Sequence, residues 1–203
     1  QISIMYLLAF QLALSSNVIT EETCREYIKL LQTTPDIIQK MLEKKDIIQY
    51  VSSGLVNTES LFYIGRGLDY ALSLEGSLKL KEISYIHSES YGAGELKHGP
   101  ISLITRDMPV IAVATQTHLF DKTISNIKEV KARGAKVIIV CKEGIDIDKD
   151  VADNVLQIPD LKNDLLNPLL TVIPLQLLAY YTSVLKGNDV DKPRNLAKSV
   201  TVE

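Results

Sequence analysis

The chain has 203 residues, 46% of them hydrophobic and 23% charged, a balance that suits a packed core and argues against disorder. A net charge of -3 and the absence of Trp supply neither the positive field nor the stacking rings that nucleic acid recognition uses. Three His and two separated Cys, Cys24 and Cys141, give no zinc-ligand spacing and no disulfide framework; no metal or cofactor is expected, and a reducing, cytoplasmic setting is.

The opening is helical in pattern, with helices expected at 2–16, 21–32 and 35–52. Thr20 before Glu21 and Glu22 supplies a cap and dipole-favoured acids, and Pro35 suits a first helical turn. The 2–14 run is too short to span a bilayer and has no charged region ahead of it, so it reads as a buried helix, entered in mid-element as in a fragment. From Ser60 the rhythm changes. Short apolar strands are expected at 61–65, 84–87, 109–114, 136–141 and 155–158, with helices at 70–82, 94–103 and 119–133 between them. Continuously apolar strands alternating with helices imply a parallel sheet covered on both faces. The last long helix, 165–185, carries Asn167, Pro168, Pro174 and Gln176, reads as a core helix rather than a membrane span, and stops at Gly187. The polar stretch 188–203 contains no Gly or Ser run, so it need not be a floppy tail. A complete α/β unit therefore occupies about 53–187, behind a helical remnant or linker at 1–52.

Open α/β sheets bind ligands beyond the carboxyl ends of their strands. Two loops are expected there. Gly65-Arg66-Gly67 is by itself an ordinary strand-to-helix turn, whereas 89–100 gathers three glycines, an acid, Lys97 and His98. On a helical wheel of the segment between them, Glu75, Lys79 and Glu82 share a sector of about 60°. Ala71, Leu72, Leu78 and Ile83 fall around that sector, and Ser77 and Lys81 on a far, solvated face. Charges set into an apolar face require partners. They could be a self-satisfied Glu75–Lys79 pair closing the core, or an acid and an amine placed for proton transfer beside a carbonyl. His87 and His118 read as capping or surface residues, and Lys198 has no local signal of its own.

The run ALSLEGSLKLKEISYIHSESYGAGELKHGP and the ending VIPLQLLAYYTSVLKGNDVDKPRNLAKSVTVE together resemble the second sugar-isomerase (SIS) domain of the glutamine–fructose-6-phosphate aminotransferase (glucosamine-6-phosphate synthase) family. The resemblance implies an SIS-type, flavodoxin-like α/β/α fold with a five-stranded parallel sheet. It places the second SIS domain at 53–187, a remnant of the first with inter-domain helices at 1–52, and an active-site tail at 188–203. It also implies the chemistry: fructose 6-phosphate is opened, aminated at C2 with glutamine-derived ammonia, and a proton moves from C1 to C2 to give glucosamine 6-phosphate. By motif, Lys198 is the Schiff-base lysine, Glu82 the carboxylate that shuttles the proton, and Lys79 the amine handling the adjacent hydroxyl proton. His98 is the ring-opening acid–base, acting in the site of a dimer neighbour. Glu75 is a supporting charge, and Arg194 to Ala197 belong to a lid over the sugar. A homodimer is implied.

The family's Ser/Thr-rich phosphate loop, of the SQSGET type, is absent here, as is the glutaminase Cys, for which Gln1 is no substitute. The expectation is a polypeptide that carries most catalytic side chains yet is inactive alone. Three other readings compete: a non-catalytic sugar-phosphate-sensing SIS module, a fructosamine-6-phosphate deglycase, and a body that serves only dimerisation.

Overall fold

A computed structural model describes residues 1–196. The chain begins with α1 (Ile2–Ser15), α2 (Glu21–Glu43) and α3 (Asp46–Ser53), then alternates: β1 (Ser60–Gly65), α4 (Leu68–Ser84), β2 (His87–Gly92), β3 (Pro109–Ala114), α5 (Phe120–Lys131), β4 (Lys136–Lys142), β5 (Asn154–Ile158) and α6 (Pro168–Leu185). The five strands form one parallel sheet in the order β2-β1-β3-β4-β5, the expected flavodoxin-like arrangement. Registers run Leu61 to Ser88, Tyr63 to Ile111, Ile111 to Ile138 and Val140 to Leu156.

Because side chains alternate across a strand, each strand feeds two cores. Leu61, Tyr63, Ile111, Val113, Ile138 and Val140 point toward the layer of α3, α4 and α6. Phe62, Ile64, Val110, Ala112, Val137 and Ile139 point toward α5. Both faces are therefore buried, which is why these strands read as unbroken apolar runs. α6 is long and apolar enough to cross a membrane, but more than half of it is buried against the sheet and its neighbours.

Four expectations change. α2 runs through Pro35 without a break, and the chain instead turns at Lys44 and Lys45 before α3; the Thr33 and Thr34 hydroxyls both donate to the Leu30 carbonyl in the turn before the proline. The Thr20 cap is present, accepting from the Thr23 N–H at 3.1 Å. The strand expected at 84–87 lies later. α4 continues to Ser84, Tyr85 adopts a left-handed conformation (φ 61°, ψ 16°), and β2 begins at His87. A bulky residue there carries strain of about 1–2 kcal/mol that glycine would avoid. The helix expected at 94–103 is two 3-10 turns, Ala93–His98 and Pro100–Leu103, separated by Gly99. α6 starts at Pro168 rather than at 165, because Asn163 and Asn167 organise the preceding loop through side-chain hydrogen bonds to Leu165, Leu166 and Leu161.

α4 also corrects the wheel. Its inner face is made of small residues, Ser73, Gly76, Ser77 and Ser84, with Leu72 and Leu80; Ser77 is buried, while Leu78 is exposed. Gly76 explains the preference. A Cβ there would stand 2.9 Å from the Tyr63 ring and 3.3 Å from Leu175, so the helix can press onto β1 and α6 only without one. Ser77 meets Ser88 of β2 through paired hydroxyl and carbonyl hydrogen bonds at 2.9–3.0 Å.

Candidate active site

The strand order reverses between β1 and β3, where an open α/β sheet usually receives an anion. Here the chain fills that place itself. Asp69, in the first turn of α4, is 1% exposed and accepts from the Thr115 N–H at 2.7 Å, the Thr115 hydroxyl at 2.5 Å and the Gln116 N–H at 3.0 Å. Burial raises the Asp69 carboxyl above its ordinary value, against the lowering effect of those three donors. The Gly65-Arg66-Gly67 turn is structural: a Cβ on Gly65 would come within 2.5 Å of the Asp69 backbone. Arg66 turns aside to hold the Asn126 side-chain oxygen at 2.9 and 3.0 Å.

A row of charged side chains lies on the outer side of α4. Lys79 Nζ donates to Glu82 Oε2 at 2.7 Å and stands 3.8 Å from Glu75 Oε1, so one ammonium is held between two carboxylates. Their side chains are 35%, 30% and 38% exposed respectively, open enough for a substrate to touch and sheltered enough for the charges to feel one another. The hydrogen bond to Glu82 raises the Lys79 pKa; partial burial opposes it, and the charges of Glu82 and Glu75 add to the rise. Lys79 is thus held as an ammonium, donating a hydrogen bond to the Glu82 carboxylate. Glu75 forms one wall of a cavity of about 590 Å³ between α1, α4 and α6, whose other walls include Ile2, Leu72, Leu169, Val172 and Gln176.

The chain after α6 returns to this helix. Ser183 Oγ and Asn188 Nδ2 both donate to the Ile83 carbonyl, at 2.7 and 3.1 Å, satisfying a group that the end of α4 leaves free. Arg194 then reaches Tyr85: its N–H donates to the Tyr85 hydroxyl at 2.9 Å, and its guanidinium carbon lies 4.1 Å from the ring centre. Ala197 and Lys198 lie outside the described residues.

His98 stands apart. It is exposed, 3.7 Å from Glu95, and among the described residues no hydrogen bond or ion pair joins it to the α4 row. His87 pairs with Glu89 at 3.7 Å, and His118 lies 3.9 Å from Asp164. The hydrogen bond to Glu89 pushes Tyr91 up to about 12. Cys141 is fully buried, and burial raises its thiol to about 11, which leaves it inert. Among the described residues no three His, Cys, Asp or Glu side chains converge as metal ligands would. Sequence reasoning brought Glu75, Lys79 and Glu82 together correctly. It missed Asp69, Tyr85 and the Arg194 contact. The one available signal for Tyr85 was a helix end with no Gly or Asn to take the left-handed position.

A five-stranded parallel sheet of this order, covered by helices on both faces, has known counterparts. Residues 54–186 match the SIS domain family, and the chain belongs to it. Over its whole length the chain is 54% identical to the isomerizing glutamine–fructose-6-phosphate aminotransferase of Caldanaerobacter subterraneus subsp. tengcongensis and 53% identical to that of Clostridium tetani. It spans about a third (33%) of the length of each, as their C-terminal portion. A solved structure, the C-terminal domain of glucosamine-fructose-6-phosphate aminotransferase from Francisella tularensis, superposes with a TM-score of 0.87 at 37% identity, covering 92% of this chain and 52% of that one.

Proposed function

We propose that the chain is the second SIS domain and C-terminal tail of an isomerizing glutamine–fructose-6-phosphate aminotransferase, and supplies the isomerase chemistry that yields glucosamine 6-phosphate. The observation that carries this reading is Lys79 clamped between Glu75 and Glu82, in a chain 54% identical from end to end to such an enzyme. Lys198 attacks the sugar carbonyl and, with loss of water, forms an imine; glutamine-derived ammonia then adds to that imine and expels the Lys198 amine, leaving the C2 imine of the sugar. The imine withdraws electrons from the neighbouring C–H, so a carboxylate can take its proton and return it one carbon along. Glu82 is the carboxylate, and Lys79, held protonated, exchanges the proton of the adjacent hydroxyl. His98, exposed and unconnected to the row, serves ring opening in the site of a second copy, which makes a homodimer the working form.

In this reading residues 1–52 are a remnant of the first SIS domain plus inter-domain helices, 53–187 form the second, and Arg194 and Ala197 lie in a lid over the sugar. The substrate phosphate is held outside this chain, which is inactive alone, and the enzyme is cytoplasmic. Borohydride reduction with fructose 6-phosphate tests the chemistry in the full-length enzyme. The sugar should be trapped on Lys198, and Glu82→Gln should still trap it while turnover falls by about 10²–10⁴-fold. No adduct at Lys198 would instead favour a sensing module. Calorimetry with this chain alone tests the remainder, since tight, phosphate-dependent binding of fructose 6-phosphate contradicts a remote phosphate site.

A further inference from the structure

We infer that Tyr85 is a positioning residue that anchors the C-terminal segment to the end of α4 and thereby sets the approach of Lys198 to Glu82; this rests on the role proposed above for Lys198. Three observations carry it. First, Tyr85 occupies the left-handed position after the last helical residue (φ 61°), where glycine is unstrained and an aromatic ring is not. A strained residue persists where its surroundings give something in return. Second, the return is visible: the hydroxyl takes the Arg194 N–H at 2.9 Å and the ring face takes the Arg194 guanidinium at 4.1 Å. Glycine would supply neither contact, and phenylalanine only the second.

Third, the segment has a defined route. After Gly187 it is pinned to the Ile83 carbonyl by Asn188, turned by Asp189 Oδ1 accepting from the Asp191 and Lys192 N–H groups, and delivered to Tyr85 at Arg194. Ile83 and Tyr85 sit one and three residues beyond Glu82 on the helix that carries the reactive row. Lys198 follows Arg194 by four residues, a tether of at most about 14 Å at 3.3–3.6 Å per residue. If the Tyr85 contact is removed, the nearest anchor to α4 among the described residues is Asn188, ten residues before Lys198, and the tether lengthens to about 35 Å. A longer tether lowers the effective concentration of the lysine amine at the sugar carbonyl and loosens its approach.

The experiment compares Tyr85→Gly, Tyr85→Phe, Arg194→Ala and Lys198→Arg in the full-length enzyme, by kcat, KM for fructose 6-phosphate, the rate of borohydride trapping and Tm. Tyr85→Gly should keep or raise Tm, because glycine suits the backbone, while kcat and trapping fall together by about 10–100-fold with KM within about threefold. Arg194→Ala keeps the backbone N–H donor and loses the ring contact, and Tyr85→Phe does the reverse, so each should lie between Tyr85→Gly and wild type. Wild-type trapping and kcat in Tyr85→Gly, which loses both contacts, overturn the anchor. So does a rise in KM alone in Arg194→Ala, which would make that side chain a substrate contact. Lys198→Arg separates the two ideas: an adduct that persists there removes the Schiff-base reading itself, whatever the Tyr85 variants do.

Discussion

Lys142, at the end of β4, is 8% exposed on its side chain and places its ammonium among Asp160, Asp164 and the Thr117 hydroxyl. Partial burial pushes the Asp164 carboxyl up, but the hydrogen bonds from Lys142 and Thr117 outweigh it, and the net value lies below the ordinary 3.8; Asp160 behaves alike, its hydrogen bonds from Lys162 and the charge of Lys142 prevailing over burial. A carboxyl whose folded value is depressed contributes stability that is present above its unfolded value and lost as pH falls through the folded one. Lys142→Met should therefore cost about 2–4 kcal/mol at pH 7 in urea unfolding, because Asp164 loses its counter-charge and Asp160 keeps only that of Lys162. The gap to wild type should narrow once the pH drops below 3.8. An equal gap at both pH values would mean that packing, not charge, is what Lys142 supplies. Tyr63 gives the opposite sign. It is fully buried, its hydroxyl has no partner among the described residues, and burial raises its pKa. Tyr63→Phe should stabilise by about 1 kcal/mol, read as a higher urea midpoint at unchanged slope. The contrast shows what one residue's letter can reveal. Glu75, Lys79 and Glu82 were legible because their partners lie three and four positions away on one helix, a spacing the sequence displays. Asp69 with Thr115, Lys142 with Asp164, and Tyr85 with Arg194 join positions 46, 22 and 109 apart, and no local period marks such pairs.

Among the elements, those made of periodic apolar residues were readable and those shaped by small or polar residues were not. β1, β3 and β4 stand within a residue of their expected places because both faces of each are buried. β2 is the sheet's edge, built from His87, Ser88, Glu89 and Ser90, so its strand character comes from hydrogen bonding to β1 rather than from an apolar run. α4 misled in the same manner: Ser77 was expected on a solvated face, yet it is buried against Ser88, beside a Gly76 whose close approach to Tyr63 and Leu175 leaves no room for a Cβ. Pro35 misled through a rule that tertiary context overrode. It was expected to open a helix, and it sits inside one, exposed, where its ring removes the N–H that the turn before it would use. Pro35→Ala restores that donor. The gain in the helix exceeds the entropy the more flexible unfolded chain recovers, leaving about 1–2 kcal/mol of net stabilisation. Thermal unfolding checks it, and an unchanged or lower Tm would show that the helix has fully accommodated the proline.

Across the whole molecule, the sheet and its two cores were predictable from alternating strands and helices, whereas the role of the first helix was not. α1 is apolar on every side, and only part of it finds the core: Phe10 is buried and stacks with Tyr6 and Tyr27, while Ile4, Met5, Leu7, Leu8 and Leu12 are 50–67% exposed. A contiguous apolar face of this kind drives association in water. The 203-residue chain should therefore self-associate as its concentration rises through the micromolar range, seen as a growing weight-average mass in sedimentation. Leu8→Glu combined with Leu12→Lys should return it to a monomer with stability within about 0.5 kcal/mol of wild type, since neither side chain packs inside. A second apolar feature sets the alternative: the groove of about 700 Å³ between α2, α3 and the open edge at β5, lined by Ile37, Met41, Ile47 and Val155. If the double variant still associates, the contact belongs to that groove, where Ile47→Glu should then abolish it. If the double variant is monomeric, α1 is the adhesive face, and the homodimer proposed for the enzyme must be tested on a polypeptide in which that face is covered.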